Sequence, residues 1–364
     1  MKYRWDKNEL NKRLLAAKES KDYDLLDNIS YMLDLLEDMH DDKFANQNTD
    51  NEDLMIYYTD GIEKIADSTF DRCIDIFTTA SNIDEIYTKV ALSKINLSNT
   101  DLIDLGYEII ASLKDKRALQ IYHELTRQDR SYLNIATNID EIYTNESEGV
   151  IIHDNNTKKS YINIKREYNI QDLEALIHEV MHAIMYKYTR NKIGYLYGYF
   201  SELEGKFGEI LTSQFLKEHD MKKYADEIDF HNYSTVIYQS FMAYLTDVLI
   251  YTANEETFDV DAANVLINKE IPFKDFKVTD EEIPFICNRN GFDTVTNIIN
   301  YMMCLELRNK YSPEDQFLLL QQYKKIDDYD FYNKQLKQLF DFYQDKNKQL
   351  IDEKNRLNKK IRVL

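Results

Sequence analysis

The chain has 364 residues, of which 43% are hydrophobic, so it is long enough to bury a sizeable core. Its net charge of −20 disfavours contact with a phosphate backbone, and we expect no nucleic-acid partner. The first residues contain no apolar segment typical of a secretory signal, and no run of about 18 apolar residues predicts a membrane span. We therefore expect a cytoplasmic protein with no membrane partner.

Residues that interrupt helices are scarce, since the chain has only 8 glycines and 3 prolines. Long periodic segments therefore run without a break, which predicts a mainly α fold. Three cysteines, Cys73, Cys287 and Cys304, are widely separated in sequence. Their spacing predicts neither a metal-binding cysteine pair nor a disulfide framework.

Residues 1–148 are predicted to form a helical N-terminal region. Apolar residues recur at steps of three and four over 22–39 and 101–112, a pattern typical of amphipathic helices. The heptapeptide Asn-Ile-Asp-Glu-Ile-Tyr-Thr occurs at 82–88 and again at 138–144. This repetition suggests a duplicated helical hairpin, although the similarity does not extend far beyond the heptapeptide.

Residues 149–164 carry the clearest β signal in the sequence. Apolar runs at 150–153 and 160–164 flank the turn-like segment 154–157, which predicts a hairpin. The strand at 160–164 is expected to offer backbone hydrogen bonds to an extended peptide. His153 lies on the first strand, and we interpret it as a structural histidine because a lone histidine carries little information.

Residues 178–182 read His-Glu-Val-Met-His, the H-E-x-x-H pattern. On a helix, His178 and His182 lie one turn apart on the same face, so both imidazoles can reach one metal ion. Glu179 lies beside them, where it can accept a proton from a water molecule that the metal activates. The pattern therefore predicts a hydrolytic metal site with Glu179 as general base.

The surroundings of this motif support a helix. No glycine or proline interrupts residues 172–188, and the apolar residues recur at helical steps. Asn169 or Asp172 can cap the start of the helix. Two histidines and a glutamate amid apolar residues need polar partners, and a metal ion would supply one.

A second helix is predicted over 199–218. Glu202, Gly205 and Glu209 fall on one face of it, at spacings of three and four. Gly205 and Gly208 each cost about 1 kcal/mol relative to alanine inside a helix, a cost that a close helix–helix approach would explain. Glu202 follows the motif at a distance at which a helix–loop–helix can return a carboxylate to the same metal.

The last segment, 336–364, alternates charged and apolar residues and predicts an amphipathic helix. We interpret it as a packing or coiled-coil tail, with a partner-binding helix as the alternative. The sequence thus predicts three regions: a helical N-terminal region at 1–148, a zinc-peptidase catalytic region at 149–335, and this C-terminal helix.

These features together resemble the thimet oligopeptidase and oligoendopeptidase F family of zinc metallopeptidases, the gluzincins. The segments that carry the resemblance are 160–164, 169–177, the H-E-x-x-H motif, and 200–209, in which Glu202 and Glu209 lie seven residues apart. The resemblance implies a multi-helix metallopeptidase with a small β-hairpin or sheet beside the active-site helix, and a substrate cleft. It also implies one Zn²⁺ per chain, which suits the ligand types.

The resemblance also implies roles for individual residues. Glu202 would be the third zinc ligand with His178 and His182, and Glu209 would orient a ligand or its helix. The rival assignment makes Glu209 the ligand.

This chain departs from the family at several positions. Met181 stands where the family usually has glycine, Phe285 stands where it has an oxyanion-stabilising histidine, and the chain is much shorter than typical members. The candidates to replace that histidine as transition-state stabilisers are His231, Tyr238 and Tyr301.

The predicted function is hydrolysis of peptide bonds, in oligopeptides, by a zinc-dependent endopeptidase. One alternative, motivated by the small size and the divergent C-terminal half, is an effector or toxin protease with one protein substrate. Another, motivated by Phe285, is a non-catalytic binding protein related to metallopeptidases. The expected partner is a peptide, and the sequence leaves the oligomeric state open.

Overall fold

A computed structural model of the chain describes most of its central part. The described residues are 7–21, 26, 29–30, 32–33, 73–74, 76–87, 92–127, 132–137, 149–154, 159–189, 202–253, 257–273, 276–288 and 291–323. The predicted C-terminal helix at 336–364 and the heptapeptide at 138–144 lie outside these residues, as does most of the predicted helix at 22–39.

Helices dominate the described residues, and a small sheet accompanies them, which confirms the predicted fold class. The helices are α1 (Lys7–Ser20), α2 (Ile83–Tyr87), α3 (Asn99–Ala111), α4 (Lys116–Thr126), α5 (Gln171–Thr189), α6 (Leu203–Glu218), α7 (Lys222–Thr252), α8 (Val260–Glu270), α9 (Ile283–Asn288), α10 (Gly291–Lys310) and α11 (Pro313–Tyr323). The strands are β1 (Leu133–Ala136), β2 (Gly149–Asp154) and β3 (Lys159–Lys165).

The three strands form one sheet in the order β1-β3-β2. β2 and β3 are antiparallel, with Ile151 opposite Ile162, so the predicted hairpin pairing is confirmed. β1 runs parallel to β3 on its other side. The expectation that 160–164 would offer its backbone to a peptide is therefore wrong, because the central strand already uses both of its edges.

The chain folds into two compact units. The described residues of Met1–Thr88 and Ser234–Ile298 form the first unit, and those of Lys89–Tyr233 and Ile299–Gln335 form the second unit. α7 and α10 contribute residues to both. The sequence-based boundaries at 149 and 336 stay predictions.

The H-E-x-x-H motif lies on α5, the central helix of the second unit. α5 packs against α3, α4, α6 and α11 and against strands β2 and β3. Every side chain from 171 to 186 is buried except that of His178, which is partly exposed. The helix is therefore surrounded on all sides, which explains why apolar residues extend well beyond one narrow face.

The start of α5 is fixed by polar side chains, as the sequence suggests. Asn169 Oδ1 accepts a hydrogen bond from the backbone N–H of Gln171 at 2.8 Å, which satisfies a donor of the first turn. Asp172 accepts the backbone N–H groups of Glu167 and Tyr168, at 2.7 and 3.0 Å. Both predicted capping residues thus anchor the segment that leads from β3 into the motif helix.

The first unit has an aromatic core. The ring of Phe77 contacts those of Phe241, Tyr244 and Phe273, with centroids 5.1, 5.3 and 6.1 Å away.

All three cysteines of the chain are buried and free, so none of them forms a disulfide bond. The sequence likewise predicts no disulfide framework. None of the described helices combines the length and the apolar character that a membrane crossing needs.

Candidate metal centre

Two glycines let α6 approach α5 closely at the motif. A Cβ atom built at Gly205 would lie 2.4 Å from the Cε1 and Nε2 atoms of the His178 ring. One built at Gly208 would lie 2.9 Å from the backbone oxygen of Ile177. Real Cβ contacts are essentially never this short, so only glycine fits at these positions without a shift. The close helix–helix approach predicted from the two glycines is confirmed.

Three side chains from this pair of segments converge on one point. His178 Nε2 lies 3.1 Å from His182 Nε2 and 3.2 Å from Glu202 Oε2. His182 Nε2 lies 3.7 Å from the same oxygen. Donors at 2.0–2.1 Å from a tetrahedral zinc ion would lie about 3.3 Å apart. The three observed distances bracket that value, so the donor set fits one face of a zinc coordination tetrahedron.

The remaining ring nitrogens of both histidines face carboxylates. His178 Nδ1 lies 2.9 Å from Glu209 Oε1, and His182 Nδ1 lies 3.3 Å from Glu204 Oε1. Glu209 therefore lies on the side of His178 opposite the converging donors, which favours Glu202 over Glu209 as the third ligand. A carboxylate in this position holds the ring proton on Nδ1 and leaves the Nε2 lone pair for a metal.

Sequence reasoning did not find Glu204. It lies two residues after Glu202, and at helical spacing that offset points to a different face. In the structure, however, Glu202 lies just before α6, as its N-cap residue, and Glu204 lies within it. The directions of the two side chains therefore do not follow from helical spacing. The sequence signal was weak, because a glutamate in the first turn of a helix is ordinarily an exposed, favourable charge.

Carboxylates change the protonation of both imidazoles. Burial lowers the pKa of His178, but hydrogen bonds with Glu202 and Glu209 outweigh burial and raise it well above its usual value. Burial acts in the same way on His182, and Glu202 and Glu204 raise its pKa to about 9. A metal ion that binds here must displace protons from these rings.

Glu179 is buried against the first residue of β2. A Cβ atom built at Gly149 would lie 2.9 Å from Glu179 Cγ and 3.0 Å from its Oε1, so this glycine makes room for the carboxylate. Burial raises the pKa of Glu179, although His178 and His182 act to lower it. A carboxyl group with a raised pKa is better suited to taking up a proton and returning it.

Lys206 adds a positive charge to this group of carboxylates. Its Nζ lies 2.8 Å from Glu209 Oε1, and its side chain is only 17% exposed. Burial lowers the pKa of Lys206, but Glu209 outweighs this and raises it, so the ammonium stays charged. No sequence pattern indicates this contact, since a lysine on a charged helix is usually solvated.

His231, the first candidate for a transition-state stabiliser, contacts Gln171 at the start of α5. Its Nε2 lies 2.9 Å from Nε2 of Gln171, and the amide can only donate from that atom. His231 is then neutral with its proton on Nδ1, which agrees with a pKa that burial lowers. Its role as a transition-state stabiliser stays a prediction.

The two tyrosine candidates lie in ring clusters. Tyr301 is 2% exposed, and its centroid lies 6.0 Å from that of Tyr233. Tyr238 belongs to the other compact unit, where its ring contacts that of Tyr87 at a centroid distance of 6.0 Å. Their roles as stabilisers likewise stay predictions.

Met181 and Phe285, the two residues that differ from the pattern of the family that the sequence resembles, have different surroundings. Met181 is fully buried, and its Cγ would lie 3.1 Å from a Cβ atom built at Gly208. The glycine on α6 thus leaves space for the methionine on α5, so the large side chain fits inside the motif. Phe285 lies on α9 and is 48% exposed.

Comparison with solved structures finds this fold in a peptidase and in two candidate peptidases. A structure of PZ peptidase A with an inhibitor has a TM-score of 0.53 and 14% identity, over 82% of this chain and 58% of that one. A candidate oligoendopeptidase F from Bacillus anthracis has a TM-score of 0.55 and 15% identity, over 95% and 64%. A candidate peptidase from Chlamydophila abortus has a TM-score of 0.55 and 13% identity, over 95% and 63%.

At these identities the likeness shows the fold alone. The resemblance to the oligoendopeptidase F family is therefore confirmed as a resemblance of fold. The chain spans about three fifths of the length of these solved structures. No family model and no curated protein sequence matches it.

Proposed function

We propose that this chain, which has the fold of the PZ peptidase A and oligoendopeptidase F structures, is a zinc-dependent endopeptidase that cleaves oligopeptides. The observation that carries the proposal is the convergence of His178, His182 and Glu202 at distances that suit a tetrahedral zinc ion. Glu179, buried beside two of these donors, supplies the base that peptide hydrolysis needs.

In this mechanism, His178, His182 and Glu202 would hold the zinc ion. A zinc ion held there would supply Lewis-acid chemistry, which lowers the pKa of water to about 7 at such sites. Glu179 takes the proton of the attacking water and delivers it to the leaving amine. Burial raises the pKa of Glu179, which favours the uptake of the proton from water. Glu209 fixes the orientation of the His178 ring through its Nδ1 atom.

The strand that best suits a peptide substrate is β2. β2 is an outer strand of the three-stranded sheet, and among the described residues only β3 pairs with it. β2 begins at Gly149, directly against Glu179. An extended peptide that pairs with the outer edge of β2 would pass close to Glu179. This supports β2, and not the strand at 160–164, as the strand on which a peptide substrate docks.

Replacement of Glu179 by glutamine tests the proposal. Glutamine keeps the size of the side chain but cannot take up the proton, so turnover should fall by about 10²- to 10⁴-fold while zinc still binds. A fluorogenic peptide library measures hydrolysis, and elemental analysis measures bound metal. Glu218→Gln, an exposed position at the end of α6, is the matched control and should behave like wild type.

Peptide cleavage by Glu179→Gln at the wild-type rate would show the mechanism to be wrong. The same measurements separate the alternatives. Wild type that binds zinc but cleaves no peptide would indicate a binding protein. Cleavage of an intact protein but of no oligopeptide would indicate an effector protease.

A further inference from the structure

We propose that Glu204 is a positioning residue that fixes His182 as a metal ligand by holding the proton on its Nδ1 atom. This inference rests on the proposed zinc site and assigns a role to a residue that the motif does not include. The three converging donor atoms belong to His178, His182 and Glu202, so Glu204 is not one of the donor residues. It acts through His182.

The burial of Glu204 is the first argument. Its side chain is completely inaccessible to solvent, at 0% exposure, in the first turn of α6. A charged carboxylate removed from water is strongly disfavoured unless polar or charged groups compensate it. The Nδ1 atom of His182 lies 3.3 Å from Glu204 Oε1 and is such a group.

The geometry of the ring is the second argument. An ionised carboxylate only accepts hydrogen bonds, so the imidazole nitrogen that faces it must carry a proton. With the proton on Nδ1, a neutral His182 presents the lone pair of Nε2, and this atom lies 3.1 Å from the Nε2 of His178. The contact with Glu204 therefore selects the tautomer and the ring orientation that metal binding needs.

The arrangement is repeated on the other histidine. Glu209 faces Nδ1 of His178 just as Glu204 faces Nδ1 of His182. The segment that leads into α6 supplies Glu202 to the donor group, and α6 itself supplies a carboxylate to each ligand histidine. A shift of α6 would thus disturb one ligand directly and both others through their orienting contacts.

Two substitutions at this position separate charge from shape. Glu204→Gln keeps the volume and an acceptor oxygen, whereas Glu204→Met keeps the volume without an acceptor. The dissociation constant of Zn²⁺ is measured by competition with a chromogenic chelator, at a temperature where circular dichroism shows each variant to be folded. We expect Zn²⁺ to bind about 10- to 100-fold more weakly to Glu204→Met, with Glu204→Gln between it and wild type. Glu218→Gln, exposed on the same helix, should bind like wild type.

A second measurement needs no metal. In metal-free protein with ¹⁵N-labelled histidine, the Nδ1–H proton of His182 should resonate far downfield because Glu204 accepts it. Glu204→Met should move or remove this resonance and leave the corresponding resonance of His178 in place. A residue with a purely structural role would change the unfolding temperature without changing either readout in the folded variants.

The two readouts keep the inference separate from the proposed function. If wild type binds no Zn²⁺, the proposed function fails, and the Nδ1–H resonance of metal-free His182 then decides the role of Glu204. The inference is overturned if folded Glu204→Met binds Zn²⁺ within about twofold of wild type, because the loss of an orienting carboxylate typically weakens metal binding by about tenfold or more. It is also overturned if that variant keeps the His182 resonance unchanged.

Discussion

Each histidine of the candidate centre lies between a carboxylate on one ring nitrogen and the converging donors on the other. In metal-free protein burial disfavours the protonated rings, but Glu202 together with these two carboxylates outweighs burial, so the pKa of His182 rises to about 9 and that of His178 rises well above its usual value. At the proposed site, zinc would therefore compete with protons for the same Nε2 atoms.

We expect the affinity for zinc to increase with pH over the range up to about 9, since His182 and His178 must both lose a proton to bind the metal. Competition titrations with a chelator at a series of pH values measure this dependence. Calorimetry in buffers of different ionisation enthalpy counts the protons released. An affinity that stays constant between about pH 6 and 9, after correction for the chelator, would contradict the assignment of His182 as a ligand.

At the scale of helices, the contact between α5 and α6 sets the position of the His178 ring. Gly205 faces the ring itself, whereas Gly208 faces the backbone of α5 and the side chain of Met181. The two glycines thus lie on the same helix, three residues apart, but contact different groups. They therefore form a matched pair for substitution.

Gly205→Ala and Gly208→Ala should each lower the free energy of unfolding by about 1–3 kcal/mol, because the added methyl group overpacks the interface. Only Gly205→Ala should also weaken zinc binding strongly, since it displaces the ligand ring. Urea denaturation and zinc titration of both variants measure the two effects. Equal zinc affinities in the two variants would mean that Gly205 does not position His178.

The start of α5 depends on a buried arginine. Arg166 Nε lies 2.9 Å from Asp172 Oδ2, with the arginine side chain 3% exposed and the aspartate side chain 1% exposed. The two terminal nitrogens of Arg166 donate to Asn99 Oδ1 and to the backbone oxygen of Leu97, each at 2.7 Å. One guanidinium therefore ties the end of β3 to the start of α5 and to the segment before α3.

Arg166→Ala should lower the free energy of unfolding by about 3–5 kcal/mol, because it leaves the carboxylate of Asp172 buried without its charged partner. The adjacent Lys165 forms an exposed ion pair with Glu167, at 3.1 Å, and provides the control. Lys165→Ala should change stability by no more than about 1 kcal/mol. Urea denaturation of both variants tests the difference, and similar losses would show that burial of the Arg166 pair does not matter.

For the whole molecule, a metal that binds only the folded state must stabilise it. The three donor residues come from α5 and from the segment that leads into α6, and an unfolded chain does not bring them together. Linkage gives about 2.7 kcal/mol of added stability when free zinc is at about 100 times its dissociation constant.

Addition of zinc to metal-free protein should therefore raise the unfolding temperature, and a chelator should reverse the increase. Glu202→Gln should lose most of this response, because it replaces the one anionic donor of the three by a neutral amide oxygen, whereas Glu218→Gln should keep it. Differential scanning calorimetry at several zinc concentrations measures both. An unfolding temperature that does not respond to zinc would contradict a folded-state metal site.

What the sequence determined by itself is local. Helical geometry places residues four apart on one face, so the H-E-x-x-H pattern alone was enough to predict that His178 and His182 converge with Glu179 beside them. The hairpin of β2 and β3 also followed from a local alternation of apolar runs and a turn. Scarce glycine and proline were enough to predict a mainly helical fold, because few positions can interrupt a helix.

What only the tertiary structure decided depends on packing between segments distant in sequence. β1 occupies the second edge of β3, so the strand at 160–164 is the central strand of the sheet among the residues that the structure describes, and β2 is the strand that lies against Glu179. The close approach of α5 and α6 buries Glu204 against His182 and leaves Glu209 behind His178. Spacing along a chain fixes which side chains share a helix face, but it does not fix which faces meet, since that depends on how the whole core packs.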